Sequence, residues 1–216
     1  MDATVTSALE QAFYAFVTLL ALINPIAAAA VFLTVTEGRS PDDAATIAKR
    51  ATIVAGITLI VFAFAGEALL GALGVKIGAF KIAGGLLLLK VAFNMVFAEK
   101  PTRRVADSAK DGGEENDPSV FPLAIPMIAG PGALTASVAL VDSPDQRIRS
   151  AATFIIVALL VIGITYAFMR GAEKLVRWFG ETGIDAVSRV VGIVVAAIAV
   201  QLVVNGASGL TGFAIR

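Results

Sequence analysis

Two short strings in this 216-residue chain put polar chemistry inside apolar runs: Leu22-Ile23-Asn24-Pro25-Ile26-Ala27-Ala28 and Ile128-Ala129-Gly130-Pro131-Gly132-Ala133-Leu134-Thr135. Proline has no N–H and crowds the carbonyl one turn back, and glycine weakens a helix, so the backbone should open or kink at both places. Bare amide and carbonyl groups in hydrocarbon cost several kcal/mol each, so broken backbone at membrane depth survives only inside protein or beside water. At Gly130-Pro131-Gly132 the free N–H groups of the next half-helix, with their partial positive charge, suit an anionic group such as a carboxylate. Thr135 and Ser137 could add hydroxyls, and Asn24 an amide able to complete a cage around a zwitterion. The bland alternatives are a proline kink that packs small residues, and an asparagine that only caps a freed carbonyl.

Further polar groups sit in or near apolar runs. Lys90 is the only cation well inside one, which makes a coupling or binding role a default hypothesis; it could instead snorkel or bond Asn94 one turn on. Glu67 lies near a span end, where it reads as interfacial more readily than as a proton carrier. Gln201 and Asn205, at i and i+4, read most simply as hydrogen bonds between helices. Gly84, Gly85 and Gly192 would permit close helix contact.

These residues need a membrane scaffold. Mean hydropathy is +0.85 and 57% of residues are apolar, far more than one soluble domain requires. Six stretches can cross about 30 Å of hydrocarbon: residues 11–36, 51–73, 77–97, 121–141, 151–169 and 190–210. Ser40 or Asp42 can cap a helix with Pro41 in its first turn. Residues 99–118 carry both charges and read as a flexible linker, dividing the chain into 1–98 and 119–216. With no Cys, disulfides, thiolate metal sites and thiol redox chemistry are excluded, and with no His the commonest metal ligand and physiological-pH base is gone, so no enzyme, catalytic residue or metal is expected. The balanced charge, held between the apolar runs, implies no nucleic acid partner.

The halves correspond in order. Pro25 answers to Pro131, Ser40-Pro41-Asp42 to Ser143-Pro144-Asp145, and Lys81-Ile82-Ala83-Gly84 to Arg189-Val190-Val191-Gly192, at offsets of 106, 103 and 108 residues. Three spans per half force the second copy upside down, so the fold expected is all-α, six spans in two inverted three-helix repeats, the first and fourth broken at Pro/Gly motifs. Arg39, Lys49, Arg50, Lys100, Arg103, Arg104, Lys110, Arg170, Lys174, Arg177 and Arg189 follow spans one, three and five, against Lys76, Lys81, Arg147, Arg149 and Arg216 on the other side. That bias places both termini away from the cytoplasm.

The strings Asn24-Pro25-Ile26, Ile82-Ala83-Gly84-Gly85-Leu86-Leu87-Leu88-Leu89, Ile125-Pro126-Met127-Ile128-Ala129-Gly130-Pro131-Gly132-Ala133, and Gly192 to Gln201 with Asn205-Gly206 resemble the MarC family of integral membrane proteins, sometimes described as neutral amino acid transporters. The likeness covers nearly the whole chain. It implies a multi-pass protein of the plasma or inner membrane that moves small neutral solutes such as glycine or alanine, with Na⁺ or H⁺ coupling open, no cofactor, and a homo-oligomer compatible with the pattern. Two other readings fit the same residues: a non-transporting membrane adaptor, and a small-solute channel.

Overall fold

The computed structural model describes residues 3–97, 117–141 and 147–211. The linker expected at 99–118, apart from Asp117 and Pro118, the turn at Ser143-Pro144-Asp145, and the termini Asp2 and Arg216 lie outside the described residues. Within them the chain is helical, without strands: α1 Ala3–Ile23, α2 Pro25–Val35, α3 Pro41–Ala72, α4 Ile77–Val96, α5 Ser119–Ile128, α6 Pro131–Val141, α7 Arg147–Arg170 and α8 Ala172–Thr211. Five helical stretches are long and apolar enough to cross a membrane, Leu9–Val35, Pro41–Ala72, Ile77–Val96, Ser150–Arg170 and Thr182–Leu210, and α5 with α6, bent by 57°, is either a sixth, broken span or a re-entrant loop. Their outward faces carry Ile53, Ile57 and Phe64, Leu86, Leu87 and Phe93, and Ile156, Leu159 and Ile193, all exposed on the isolated chain. Lipid tails are what such faces match.

Helices and apolar runs do not share boundaries. The polar connection expected before residue 51 is the start of α3, which begins at Pro41 because the Ser40 side chain accepts the Asp43 N–H at 3.1 Å. At about 1.5 Å per residue the whole helix is about 48 Å long, so its first turns stand clear of the hydrocarbon. There Arg50 Nη1 meets Asp117 Oδ2 at 3.4 Å. Asp117 also accepts from the Ser119 hydroxyl and N–H, at 2.7 and 2.9 Å. These bonds, the hydroxyl's first, hold its carboxyl below the usual carboxylate range. The sixth span likewise begins earlier than residue 190. Gly180, at φ 63°, interrupts α8, leaving a short first stretch with the Arg177–Glu173 pair and a Trp178 that is 86% exposed. A charged helix carrying an exposed Trp suits the membrane–water interface.

Most of the packing between helices falls into reciprocal pairs, while α6–α7, α1–α8 and α7–α8 have no counterpart of similar extent. α2 lies on α7 as α6 lies on α3; α3 meets α5 as α7 meets α1; α4 meets α6 as α8 meets α2; and α3–α7 and α4–α8 pair with each other. The α4–α8 contact is the most extensive, and small residues make it. A Cβ added at Gly78 would stand 2.7 Å from the Gly206 carbonyl oxygen, one at Gly85 2.7 Å from that of Ala199, and one at Gly192 3.3 Å from that of Ala92. The helices therefore run antiparallel, Gly78, Gly85 and Ala92 against Gly206, Ala199 and Gly192, each row spaced by seven residues. Lipid gives apolar side chains no reason to cluster, so close backbone approach of this kind is how membrane helices associate.

Candidate functional site

Asn24 is 6% exposed and has a left-handed backbone, φ 48°. Proline disfavours α geometry in the residue before it, and asparagine tolerates positive φ better than other side chains, so Asn-Pro is a sequence able to turn here. The Asn24 N–H closes α1 on Leu20 O at 3.0 Å, its carbonyl accepts from Ala28 N–H at 3.0 Å, and its Oδ1 caps Ala27 N–H at 3.2 Å. The remaining amide N–H groups point toward Met95 Sδ, 3.9 Å away. Pro25 has no N–H to offer the Ala21 carbonyl.

The second interruption is built differently. α5 is an irregular, wide coil with extended residues at Phe121 and Ile125, each followed by a cis proline, Pro122 and Pro126. It closes with Ala129 N–H on Ala124 O at 2.8 Å, and α6 opens with Leu134 N–H on Gly130 O at 2.9 Å. Gly130 precedes Pro131 where Asn24 precedes Pro25, yet has no side chain to cap the N–H groups of Gly132 and Ala133. Thr135 and Ser137 are buried, their hydroxyls donating to Pro131 O at 2.8 Å and Leu134 O at 2.7 Å. Those protons are taken; the oxygens can still accept.

One stripe of α4 passes both interruptions. Gly84 faces the Thr135 side chain, leaving no room for a Cβ; Leu88 packs on Gly132; Met95 reaches Asn24. Leu88 and Met95 are two turns apart, about 10 Å along the helix. Of the three glycines expected to allow close contact, Gly85 and Gly192 serve the α4–α8 seam while Gly84 makes space for Thr135.

The other expected polar residues lie elsewhere. Lys90 is exposed on the outward face of α4 and Asn94 is half-buried. Gln201 Nε2 donates to Asn205 Oδ1 at 2.8 Å within α8, and both are exposed, so the pair does not join two helices. Both line a cavity of about 190 Å³, with Tyr14, Thr18 and Lys81. Asn205 and Lys81 also line a neighbouring cavity of about 620 Å³ that includes Glu67 and Lys76. In the sequence Lys81 stands as a loop charge and as the first residue of the Lys81-Ile82-Ala83-Gly84 correspondence, although a lysine four residues inside an apolar helix is itself a functional signal. Thr18 and Tyr14 gave no signal.

Membrane-long helices and outward faces of exposed aliphatic and aromatic side chains define a polytopic helical membrane protein. The chain matches the profile described as "MarC family integral membrane protein" over residues 9–211. It belongs to that family. It is similar to UPF0056 membrane protein MJ1677 of Methanocaldococcus jannaschii, 36% identical over 202 residues covering 93% of this chain and 98% of that one. It is also similar to UPF0056 membrane protein YvbG of Bacillus subtilis, 30% identical over 91% of this chain and 94% of that one. UPF0056 inner membrane protein YhgN of Escherichia coli is 29% identical over 92% of this chain and 96% of its own. No solved structure matches.

Proposed function

We propose that this protein is a secondary transporter of small neutral solutes, glycine or alanine in class, and not an enzyme, built as two inverted three-helix repeats that expose the site at Asn24 and Gly130 alternately to the two sides of the membrane. The observation that supports the reading is the mostly reciprocal packing: with α1 to α4 set against α5 to α8, α2–α7 corresponds to α6–α3, α1–α7 to α5–α3 and α2–α8 to α6–α4, while α3–α7 and α4–α8 are the pairs that would lie on the axis of such a repeat. A two-fold axis in the membrane plane generates such a list, and repeats of this type place substrate at paired broken helices near mid-membrane. In such a repeat the interruptions at Asn24 and Gly130 would be counterparts. Their chemistry is complementary: Asn24 brings a side-chain amide, and the Gly130 end of α6 brings N–H groups suited to a carboxylate. An adaptor would need the helices but neither interruption.

The test is uptake of labelled amino acids into proteoliposomes of purified protein, with Na⁺, H⁺ or no imposed gradient. Saturable glycine or alanine flux is expected, and its dependence on one gradient would name the coupling ion. Steady single-channel currents without saturable uptake would favour a channel; well-folded protein with neither would move the reading to an adaptor.

Sidedness is part of the proposal. The Lys and Arg bias puts the α3–α4 turn and both termini outside the cytoplasm. Because the chain has no cysteine, single cysteines at Asp2 and Arg216 can be labelled in intact cells by an impermeant maleimide. Reaction is expected from outside; reaction only after lysis would reverse the orientation.

A further inference from the structure

The two cavities that share Lys81 and Asn205 belong to no interruption, and a third cavity adjoins them. The largest, about 620 Å³, opens beside the α3–α4 turn and is lined by Glu67, Lys76, Lys81 and Asn205. Lys81 and Asn205 continue into the cavity of about 190 Å³, which reaches inward to Thr18, Ala136 and Leu202. Tyr14, Ala139 and Leu140 carry it on to a third, also of about 190 Å³, with Gln11, Ser150 and Thr153. The lining comes from the ends of α1, α3, α4, α6, α7 and α8 that lie on one side of the bundle, so the three form a crevice entering from that side. At about 1.5 Å per residue, its floor at Ala136 is some 7–8 Å along α6 from Pro131.

We propose that this crevice is a binding site for a small zwitterion, away from the two interruptions and leading toward them. An amino acid in aqueous form carries one carboxylate and one ammonium. The crevice presents an ammonium at Lys81, a carboxylate at Glu67 and, between the two cavities, a primary amide pair at Gln201 and Asn205. Because Gln201 Nε2 donates to Asn205 Oδ1, the Asn205 amide keeps both its N–H groups for an acceptor and Gln201 keeps its carbonyl oxygen for a donor. Lys81 has three N–H groups and Glu67 two oxygens, more than a single partner takes up. Carrying Lys81 about 6 Å into an apolar helix costs free energy that a lysine at a loop position would not, which fits a residue retained for an anion. Substrate access through this crevice rests on the transport reading; binding in it does not.

The test uses a single cysteine at Ala139, which lines two of the three cavities, in purified full-length protein in nanodiscs. Its reaction rate with a water-soluble maleimide is measured with glycine, acetate or methylammonium, and a cysteine at Ile57 on the outward face of α3 serves as control. Glycine is expected to slow Ala139 labelling about tenfold at ten times its dissociation constant, to act at lower concentration than acetate or methylammonium, and to leave Ile57 unaffected. Lys81→Gln should abolish protection by acetate and weaken that by glycine by at least about tenfold; Glu67→Gln should do the same to methylammonium and glycine. If either variant fails to give monodisperse protein, the other decides. Labelling indifferent to all three solutes, or protection by glycine unchanged in a folded variant, overturns the proposal. Protection without any flux in liposomes would leave this site standing and sink transport, whereas flux without protection would do the reverse.

Discussion

Gly85→Ala is expected to lower the unfolding midpoint by about 2–12 °C, and Gly85→Leu to leave little folded protein. The seam between α4 and α8 leaves no room for a side chain: a Cβ at Gly85 would lie 2.7 Å from the Ala199 carbonyl oxygen and 2.7 Å from Val203 Cγ2. Val203 could turn away, but the carbonyl is backbone, so the two helices must part along their length. Overpacking of this sort typically costs about 1–3 kcal/mol, and a chain of this size loses roughly 2–4 °C per kcal/mol. Gly206→Ala should behave alike, its Cβ meeting the Gly78 carbonyl oxygen at 2.5 Å. Gly71→Ala and Gly163→Ala, where nothing lies within 4 Å, should be neutral or slightly stabilising. A second comparison separates backbone from side-chain clashes. Trimming Leu88 to Ala should rescue Gly132→Ala, because the three atoms nearest that position all belong to the Leu88 side chain; Ala199→Gly should not rescue Gly85→Ala. Thermal unfolding in detergent followed by size-exclusion chromatography measures all of these, and equal midpoints for Gly85→Ala and Gly163→Ala would refute the seam.

Gly130→Leu should abolish saturable glycine or alanine uptake, and Asn24→Gly should reduce it several-fold while the protein stays as stable as the parent to within a few tenths of a kcal/mol. Glycine accepts the left-handed backbone at Asn24 and costs little as a cap replacement, so Asn24→Gly deletes the amide with the turn preserved. Asn24→Ala is the less clean variant, since it loses the Ala27 cap, about 1 kcal/mol, and strains a φ of 48°. At Gly130 a Cβ would meet the Pro126 carbonyl oxygen at 2.6 Å, so a leucine must displace the junction of α5 and α6 where the free N–H groups begin. Initial uptake rates in proteoliposomes, set against midpoints for the same preparations, separate the two effects. Wild-type flux in Asn24→Gly would reduce Asn24 to a helix cap; wild-type flux in folded Gly130→Leu would remove the second interruption from the site.

The sequence by itself determined everything that depends on a residue and its immediate neighbours. Hydropathy marked the six long segments, the Lys and Arg tally suggested their sense, and Ser40-Pro41 supplied a cap and a first turn. Pro25 and Pro131 marked where N–H groups are missing, and the chain leaves α geometry at Asn24 and again ahead of Pro131. Even the left-handed turn was within reach, since Asn before Pro is a local preference. Element ends were less legible: α3 starts ten residues before its apolar run, because caps and not hydropathy start a helix. What only the tertiary structure decided is which face meets which. Gly84 and Gly85 are adjacent in sequence and about 100° apart around α4, so one admits Thr135 of α6 and the other seats α8; nothing local distinguishes them. The small residues Gly78, Gly85 and Ala92 recur every seven residues in the sequence, but their partner row at Gly192, Ala199 and Gly206 lies a hundred residues or more away. The same holds for charge. Lys90 drew attention for its depth and lies on the outward face, while Lys81, ten residues earlier, stands in the crevice with Asn205. Hydrocarbon exerts no pull that sorts one apolar helix face from another, so shape alone chooses the partner, and shape is a property of two surfaces together that neither segment carries in its own sequence.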